Sequence, residues 1–220
     1  MPNKKATLLG ASGLIGGHLL ELLKNDEAFT DIKILVRRKL DINDPKVKQA
    51  VIDFEDKTSF QSEIIPGSIM FCAVGTTNSK VKGNKALYRK VDYDIPVNAA
   101  QFGLAKGCPR FVVVSSLGAD SKSSNFYTKL KGEVEDRLLE MNFSSLHIFR
   151  PSLLLGERKE FRFGETLAKI LMNTFSFLMP AKIKPIQAKV VAKAMLSVSK
   201  SQNKGIQIYH NQDIKAQIQD

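Results

Sequence analysis

Six short apolar runs punctuate the chain: ATLLG, DIKILVR, QAVIDF, SIMFCAVG, RFVVVSS and SLHIFRP. Several are nearly continuous rather than alternating, as strands covered on both faces should be. Stretches with helical spacing lie among them. In LIGGHLLELLK, Ile15, Leu19, Leu22 and Leu23 share one helical face. DIPVNAAQFGLAKG reads as a second helix, stopped by Gly107. YTKLKGEVEDRLLEM is a third, with Tyr127, Leu130, Val134, Leu138 and Met141 at helical spacing, and KVVAKAMLSVSK is a fourth. Alternation of strand and helix predicts right-handed crossovers, hence an α/β, doubly wound and mainly parallel sheet with flanking helices. A last strand, GIQIYH, is placed at the sheet edge.

Composition narrows the class. With 220 residues, 43% of them hydrophobic, the chain suits one domain over 1–220 with a sizeable core. The start, MPNKKATLLG, is basic and then apolar, but Gly10, Ser12 and Gly13 break the apolar part, so it reads as a first strand and not as a secretory signal. No apolar run reaches the ~20 residues of a membrane helix. Cys72 and Cys108 have no metal-like spacing, so no metal site is expected, and two buried free thiols suit a cytoplasmic protein. The formal charge of +11 is spread along the chain in short clusters such as KVKGNK and AKIKP, without interleaved aromatics. A solvated basic surface accounts for it, and nucleic-acid binding ranks last among the functions considered.

The chemistry starts at the end of the first strand. Gly10, Gly13 and Gly16 form a G-x-x-G-x-x-G run between strand and helix. There the first glycine permits a tight turn, the second lets a pyrophosphate approach the backbone, and the third allows close helix–sheet packing. The helix N-terminus offers unpaired N–H groups to the phosphates. Where an NAD-binding acid would end the second strand, the chain has Arg37 and Arg38, whose guanidinium groups suit a 2′-phosphate and so point to NADP(H). Asp53, followed by Phe54 at the end of the third strand, is either an acceptor for the adenine amino group or a turn residue. Ser115 and Ser116 close the fifth strand, and Tyr127 and Lys131, four apart, share a helical face. A lysine and an oxidised nicotinamide beside a tyrosine stabilise its phenolate, so these residues make a candidate Ser-Tyr-Lys proton-transfer set.

These residues together resemble the atypical branch of the short-chain dehydrogenase/reductase superfamily, over almost the whole chain. GASGLIGG, LVRRKL, FCAVGTT, VVVSSLGADSKSSNFY, KLKGEVED and FRPSLLLGERKEFRFGE most resemble the Tat-interacting-protein-like oxidoreductases. The resemblance implies a Rossmann fold, NADP(H), a tyrosine proton donor and a lysine on the nicotinamide ribose. It implies Tyr127 as the acid–base residue, Lys131 as its partner, and Ser116 as the substrate-binding serine with Ser115 an adjacent candidate. It implies that Gly10, Ser12, Gly13, Leu14 and Ile15 line the pyrophosphate, and that Gly75, Thr76 and Thr77 run past the ribose and nicotinamide. Pro151 and Leu153 would then stand near the nicotinamide, and Arg158 near the substrate. Two departures follow. Many relatives carry an asparagine in the region of Asp92 that organises a proton-relay water, so this chain departs from the full four-residue relay. Only about 70 residues follow Arg150, too few for a sugar-nucleotide substrate domain, so residues 151–220 are expected to contribute a small cap, with FGETLAKILMNTFSFL covering a pocket, packing a homodimer or, for much of its length, packing as plain core. The expected function is an NADPH-dependent reductase of a small carbonyl-like substrate. The alternative is a regulator that binds NADPH and a protein partner without turnover.

Overall fold

A computed structural model of the chain describes residues 3–77, 79, 81–156 and 183–218. Seven parallel strands make one sheet: β1 (Lys4–Leu9), β2 (Phe29–Val36), β3 (Val47–Val51), β4 (Ile69–Cys72), β5 (Arg110–Val114), β6 (Ser145–Phe149) and β9 (Gly205–Tyr209). Their order is β3-β2-β1-β4-β5-β6-β9. Two-residue strands β7 (Leu154–Leu155) and β8 (Ile186–Gln187) pair separately. The six runs and the edge strand are thus all found, in a Rossmann-like arrangement.

Nearly continuous apolar runs arise because the sheet feeds two cores. Leu8, Ile32, Ile34, Phe71, Val112 and Phe149 point to one face. Their neighbours Leu9, Leu35, Met70, Phe111, Val113 and Ile148 point to the other, as the period-two pleat requires. Helices α1 (Leu14–Asn25) and α6 (Ala188–Lys200) cover the first face, while α2 (Lys57–Ser62), α4 (Ile95–Ala105) and α5 (Phe126–Leu139) flank the second. On α1, Leu20 is buried where the sequence pattern placed Leu22, which packs only at the core's margin. Gly107 does follow α4, at φ +69°. A short α3 (Lys85–Arg89) and a π turn (Lys90–Asp94) precede α4, and α7 (Asn211–Ala216) follows β9. Short segments carry too few periods to announce themselves. The strand order reverses between β1 and β4, and the crevice above their carboxyl ends is where an open α/β sheet takes its ligand.

The far edge of the sheet holds a buried polar cluster. His147 is fully buried, with Nε2 2.8 Å from Ser145 Oγ and Nδ1 2.9 Å from the Tyr209 hydroxyl. Beside it, Arg110 donates to Ser145 Oγ and to the carbonyls of Val198, Ser199, Ser201 and Asn203, closing the end of α6. Burial, followed by the charge of Arg110, pushes the His147 imidazole down to about 4 from 6.5. The unfolded chain therefore takes up this proton at higher pH than the folded one. The resulting stability is complete above about pH 6.5 and is lost as pH falls toward 4, by about 2–3 kcal/mol at pH ~4.5. Urea denaturation at neutral and acid pH should show His147→Gln losing about that much less than the parent; equal losses would refute the linkage.

Candidate functional site

The glycine turn sits at the β1/β4 crevice. Gly10 has φ +89°, and a Cβ there would lie 2.5 Å from the Ala73 carbonyl oxygen at the end of β4. The Gly13 N–H donates to the Gly10 carbonyl at 2.8 Å. A Cβ on Gly16 would overlap that same oxygen and come within 2.6 Å of the Gly10 carbonyl carbon. The first and third glycines thus bring strand and helix within backbone contact. A Cβ on Gly13 would lie 3.1 Å from the Gly10 oxygen, so this glycine also keeps the turn itself tight. Gly13 caps α1 without a side-chain hydrogen bond, and the first turn holds no acid. Its N–H groups are left for an external acceptor, and the helix dipole favours an anion. Ser12 and Gly13 are exposed, Leu14 is half-buried and Ile15 belongs to the core. A Cβ on Gly156 would lie 2.8 Å from Leu14 Cδ1, so the segment after β6 walls the turn.

A pocket of about 800 Å³ adjoins the ends of β2, β3 and β4. Arg37 lines it and Arg38 does not. No ion pair holds Arg37 among the described residues, whereas Lys90 on the same wall is paired with Glu55 at 2.9 Å. Asp53 and Phe54 also line it. Asp53 Oδ1 accepts the Glu55 N–H at 2.9 Å, so the carboxylate serves a turn while facing the pocket, and the Phe54 ring meets Phe60 edge-on. Thr76 lines it too, as do Ile95 and Asn98, both of which sequence reasoning missed.

Past β4 the chain runs through Gly75, Thr76 and Thr77. The Thr76 N–H donates to Asp92 Oδ2 at 2.7 Å, its carbonyl accepts the Tyr88 hydroxyl at 3.2 Å, and Thr77 Oγ1 lies 2.9 Å from Ser79 Oγ. Asp92 is carried inward by the π turn and is 1% exposed. Its Oδ1 lies 2.9 Å from Lys131 Nζ, a buried ion pair. Lys131 is 5% exposed. Burial works to lower its pKa, but the attraction of Asp92 and Tyr127 outweighs this and holds the ammonium above its ordinary range. Tyr127, one turn earlier, is 37% exposed, its ring centroid 6.0 Å from Lys131 Nζ and its ring steeply inclined to that of Tyr88. Cys72 is buried at the base of this group, its thiol pushed up to about 11, which makes it inert.

The two serines have different surroundings. Ser115 is buried and donates to Glu135 Oε1, which lies on the same face of α5 as Lys131. Glu135 is 2% exposed and also accepts from Arg150 Nε and Nη2. Ser116 is half-buried, its hydroxyl 3.3 Å from the Leu117 carbonyl. The Leu117 N–H donates to the buried Pro151 carbonyl at 2.9 Å, joining the loops after β5 and β6. A Cβ on Gly132 would lie 2.7 Å from Asp120 Cα, so only glycine lets the loop after Ser116 cross α5. Leu153 is exposed, and its carbonyl accepts the Ile186 N–H at 2.9 Å. Arg158 and FGETLAKILMNTFSFL lie outside the described residues.

The sequence reading overlooked Glu135, Arg150 and Gly132 and treated Asp92 only as a missing asparagine. Glu135 had a signal: it follows Lys131 by four, on the Tyr127/Lys131 face. Arg150 closes an apolar run and had none.

A family model described as NAD(P)H-binding matches residues 10–152. The chain is 37% identical over 172 residues to protein HTATIP2 of Rattus norvegicus, spanning 77% of this chain and 70% of that protein. It is 32% identical over 195 residues to protein FMP52 of Candida albicans, spanning 86% and 85%. The structure of MoeE5 in complex with UDP-glucose and NAD superposes with a TM-score of 0.68 at 14% identity, covering 96% of this chain and 79% of that one, a likeness of fold. The Candida FMP52 is named mitochondrial, as are FMP52 proteins of Candida glabrata and Saccharomyces cerevisiae. This overturns the expected cytoplasmic location. Free buried thiols report a reducing environment, not an address.

Proposed function

Because the chain belongs to the NAD(P)H-binding, oxidoreductase-like family that includes HTATIP2 and the FMP52 proteins, we propose that it is an NADPH-dependent reductase of a small carbonyl compound. The observation that carries this reading is an exposed phenol, Tyr127, one helical turn from a buried ammonium, Lys131, linked through Asp92 to the loop after β4. The residues fit the cofactor: the turn at Gly10 and Gly16 has no room for a Cβ, α1 starts with no side-chain cap, and Arg37 lines the neighbouring pocket with no ion-pair partner among the described residues.

Bound NADPH supplies the hydride. Ser116 orients the substrate oxygen, and Tyr127 gives that oxygen the proton that completes the alcohol. Lys131 holds the nicotinamide ribose. Ser115 acts only through Glu135, holding the end of β5. The backbone of the glycine turn takes the pyrophosphate, and Arg37, more than Arg38, takes the 2′-phosphate.

The test pairs two variants. Tyr127→Phe should leave NADPH affinity within about twofold and abolish carbonyl-dependent NADPH oxidation over a panel of aldehydes and ketones. Arg37→Ala should weaken NADPH by about ten- to a hundredfold in calorimetry, with little change for NADH. Equal losses for both cofactors would remove Arg37 from the phosphate. Turnover that survives in Tyr127→Phe would remove the proton donor. Cofactor binding without turnover of any carbonyl by the parent would leave the NADPH-binding regulator.

A further inference from the structure

We propose that Asp92 is a positioning residue that keeps the buried Lys131 charged and ties it to the loop after β4, so that its carboxylate, and not merely an amide of the same shape, is required at that position. Its consequence for the cofactor rests on the reading above.

A lysine shut away from water tends to shed its proton, because the low-dielectric surroundings penalise the charged form. Lys131 is 5% exposed and needs a compensating charge. The groups facing it come from four elements. Tyr127 on its own helix presents a ring, with the Tyr88 ring of α3 behind it. Cys72 of β4 is a neutral thiol, burial having pushed it up to about 11. Asp92 on the π turn brings the one carboxylate within 4 Å of Nζ among the described residues.

The two oxygens of Asp92 do different work. Oδ2 is tied to the Thr76 backbone at 2.7 Å, which fixes the carboxylate to the loop after β4. Oδ1 faces Lys131 Nζ at 2.9 Å and gives the buried ammonium its counter-charge. An asparagine could accept from Thr76 equally well and would leave Lys131 without an anion. Burial works against the Lys131 ammonium, and Asp92 is the leading contributor, with Tyr127 beside it, to the attraction that holds it above its ordinary range. In this chain the acid at position 92 is therefore an electrostatic device, and an amide there would have a different effect.

The experiment compares the parent with Asp92→Asn and Asp92→Glu. Lysine-selective carbon-13 NMR of the ligand-free protein, with the Lys131 signal assigned by its loss in Lys131→Met, should show Lys131 titrating at lower pH in Asp92→Asn than in the parent. NADPH calorimetry adds a second readout. Between about pH 7 and pH 9 the affinity of Asp92→Asn should fall about tenfold more than that of the parent, whereas Asp92→Glu follows the parent. A loss of the same size at both pH values, or an unmoved Lys131 titration, would reduce Asp92 to a structural role and overturn the proposal. Should Asp92→Asn fail to fold, Asp92→Glu decides: a parent-like pH profile supports the proposal and a steep one overturns it. If the Lys131 titration moves as expected while the parent binds no NADPH, the charge device stands and the reductase reading falls.

Discussion

Gly16→Ala is expected to destabilise the protein by about 2–3 kcal/mol and to weaken NADPH at least ~tenfold, although helix propensity alone predicts the opposite sign. Alanine in a helix interior is favoured over glycine by about 1 kcal/mol. Here the added methyl would overlap the Gly10 carbonyl oxygen and lie 2.6 Å from its carbon and 3.1 Å from the Ala11 nitrogen, all backbone atoms that no rotamer change can move aside. Helix α1 would have to lift from the strand end. It is held down by Ile15, Leu19, Leu20 and Leu23, which pack in the core with Val191, Ala192, Met195 and Val198 of α6. Lifting the helix opens that packing, and leaving it in place distorts the turn meant for the pyrophosphate. The neighbouring glycine is the control. A Cβ on Gly17 would meet only the Ala11 oxygen at 3.5 Å, an ordinary contact, so Gly17→Ala should be neutral or stabilising by up to about 1 kcal/mol. Chemical denaturation and NADPH calorimetry on the two variants check this. A Gly16→Ala protein as stable as Gly17→Ala would mean that close packing is not what Gly16 provides.

The second large effect lies at Glu135. Glu135→Leu is expected to cost about 3 kcal/mol, against about 1 kcal/mol for Ser115→Ala. The carboxylate is 2% exposed and serves both Ser115 and the paired nitrogens of Arg150. Removing it strands a cation whose side chain is 24% exposed, enough to temper the penalty and not to cancel it. A guanidinium stays protonated at any working pH, so the stranded charge cannot be shed as an escape. The double variant Glu135→Leu with Arg150→Met should recover part of the loss, since a neutral apolar pair leaves no unmatched charge. Denaturation curves of the three variants decide it, and a Glu135→Leu loss no larger than that of Ser115→Ala would show the ion pair to be idle. Turnover should separate the serines as well, with Ser115→Ala retaining most activity and Ser116→Ala losing it.

Elements were legible in proportion to their length and periodicity. The strand runs stood out as short, mostly apolar stretches, and the four long helices because each repeats its spacing over several turns. Two-residue β7 and β8 and the π turn at Lys90–Asp94 repeat nothing and were invisible. Within the candidate site, the glycine turn and the Tyr127/Lys131 pair were legible because their chemistry follows from local spacing. Local spacing alone did not separate Ser115 from Ser116, whose surroundings differ by a carboxylate 20 residues along the chain.

The sequence by itself determined the alternation of strand and helix, the place where a backbone must come close to its neighbour, and the helical face that carries phenol and amine. These are written in the local spacing of residue types, where bond geometry leaves few choices. Only the tertiary structure decided which charges meet. Asp92 reaches Lys131 across 39 positions and Glu135 reaches Arg150 across 15, brought together by sheet order and by a helix crossing the strands. Coulomb attraction inside a protein depends on distance and burial, and neither quantity exists until the chain has folded.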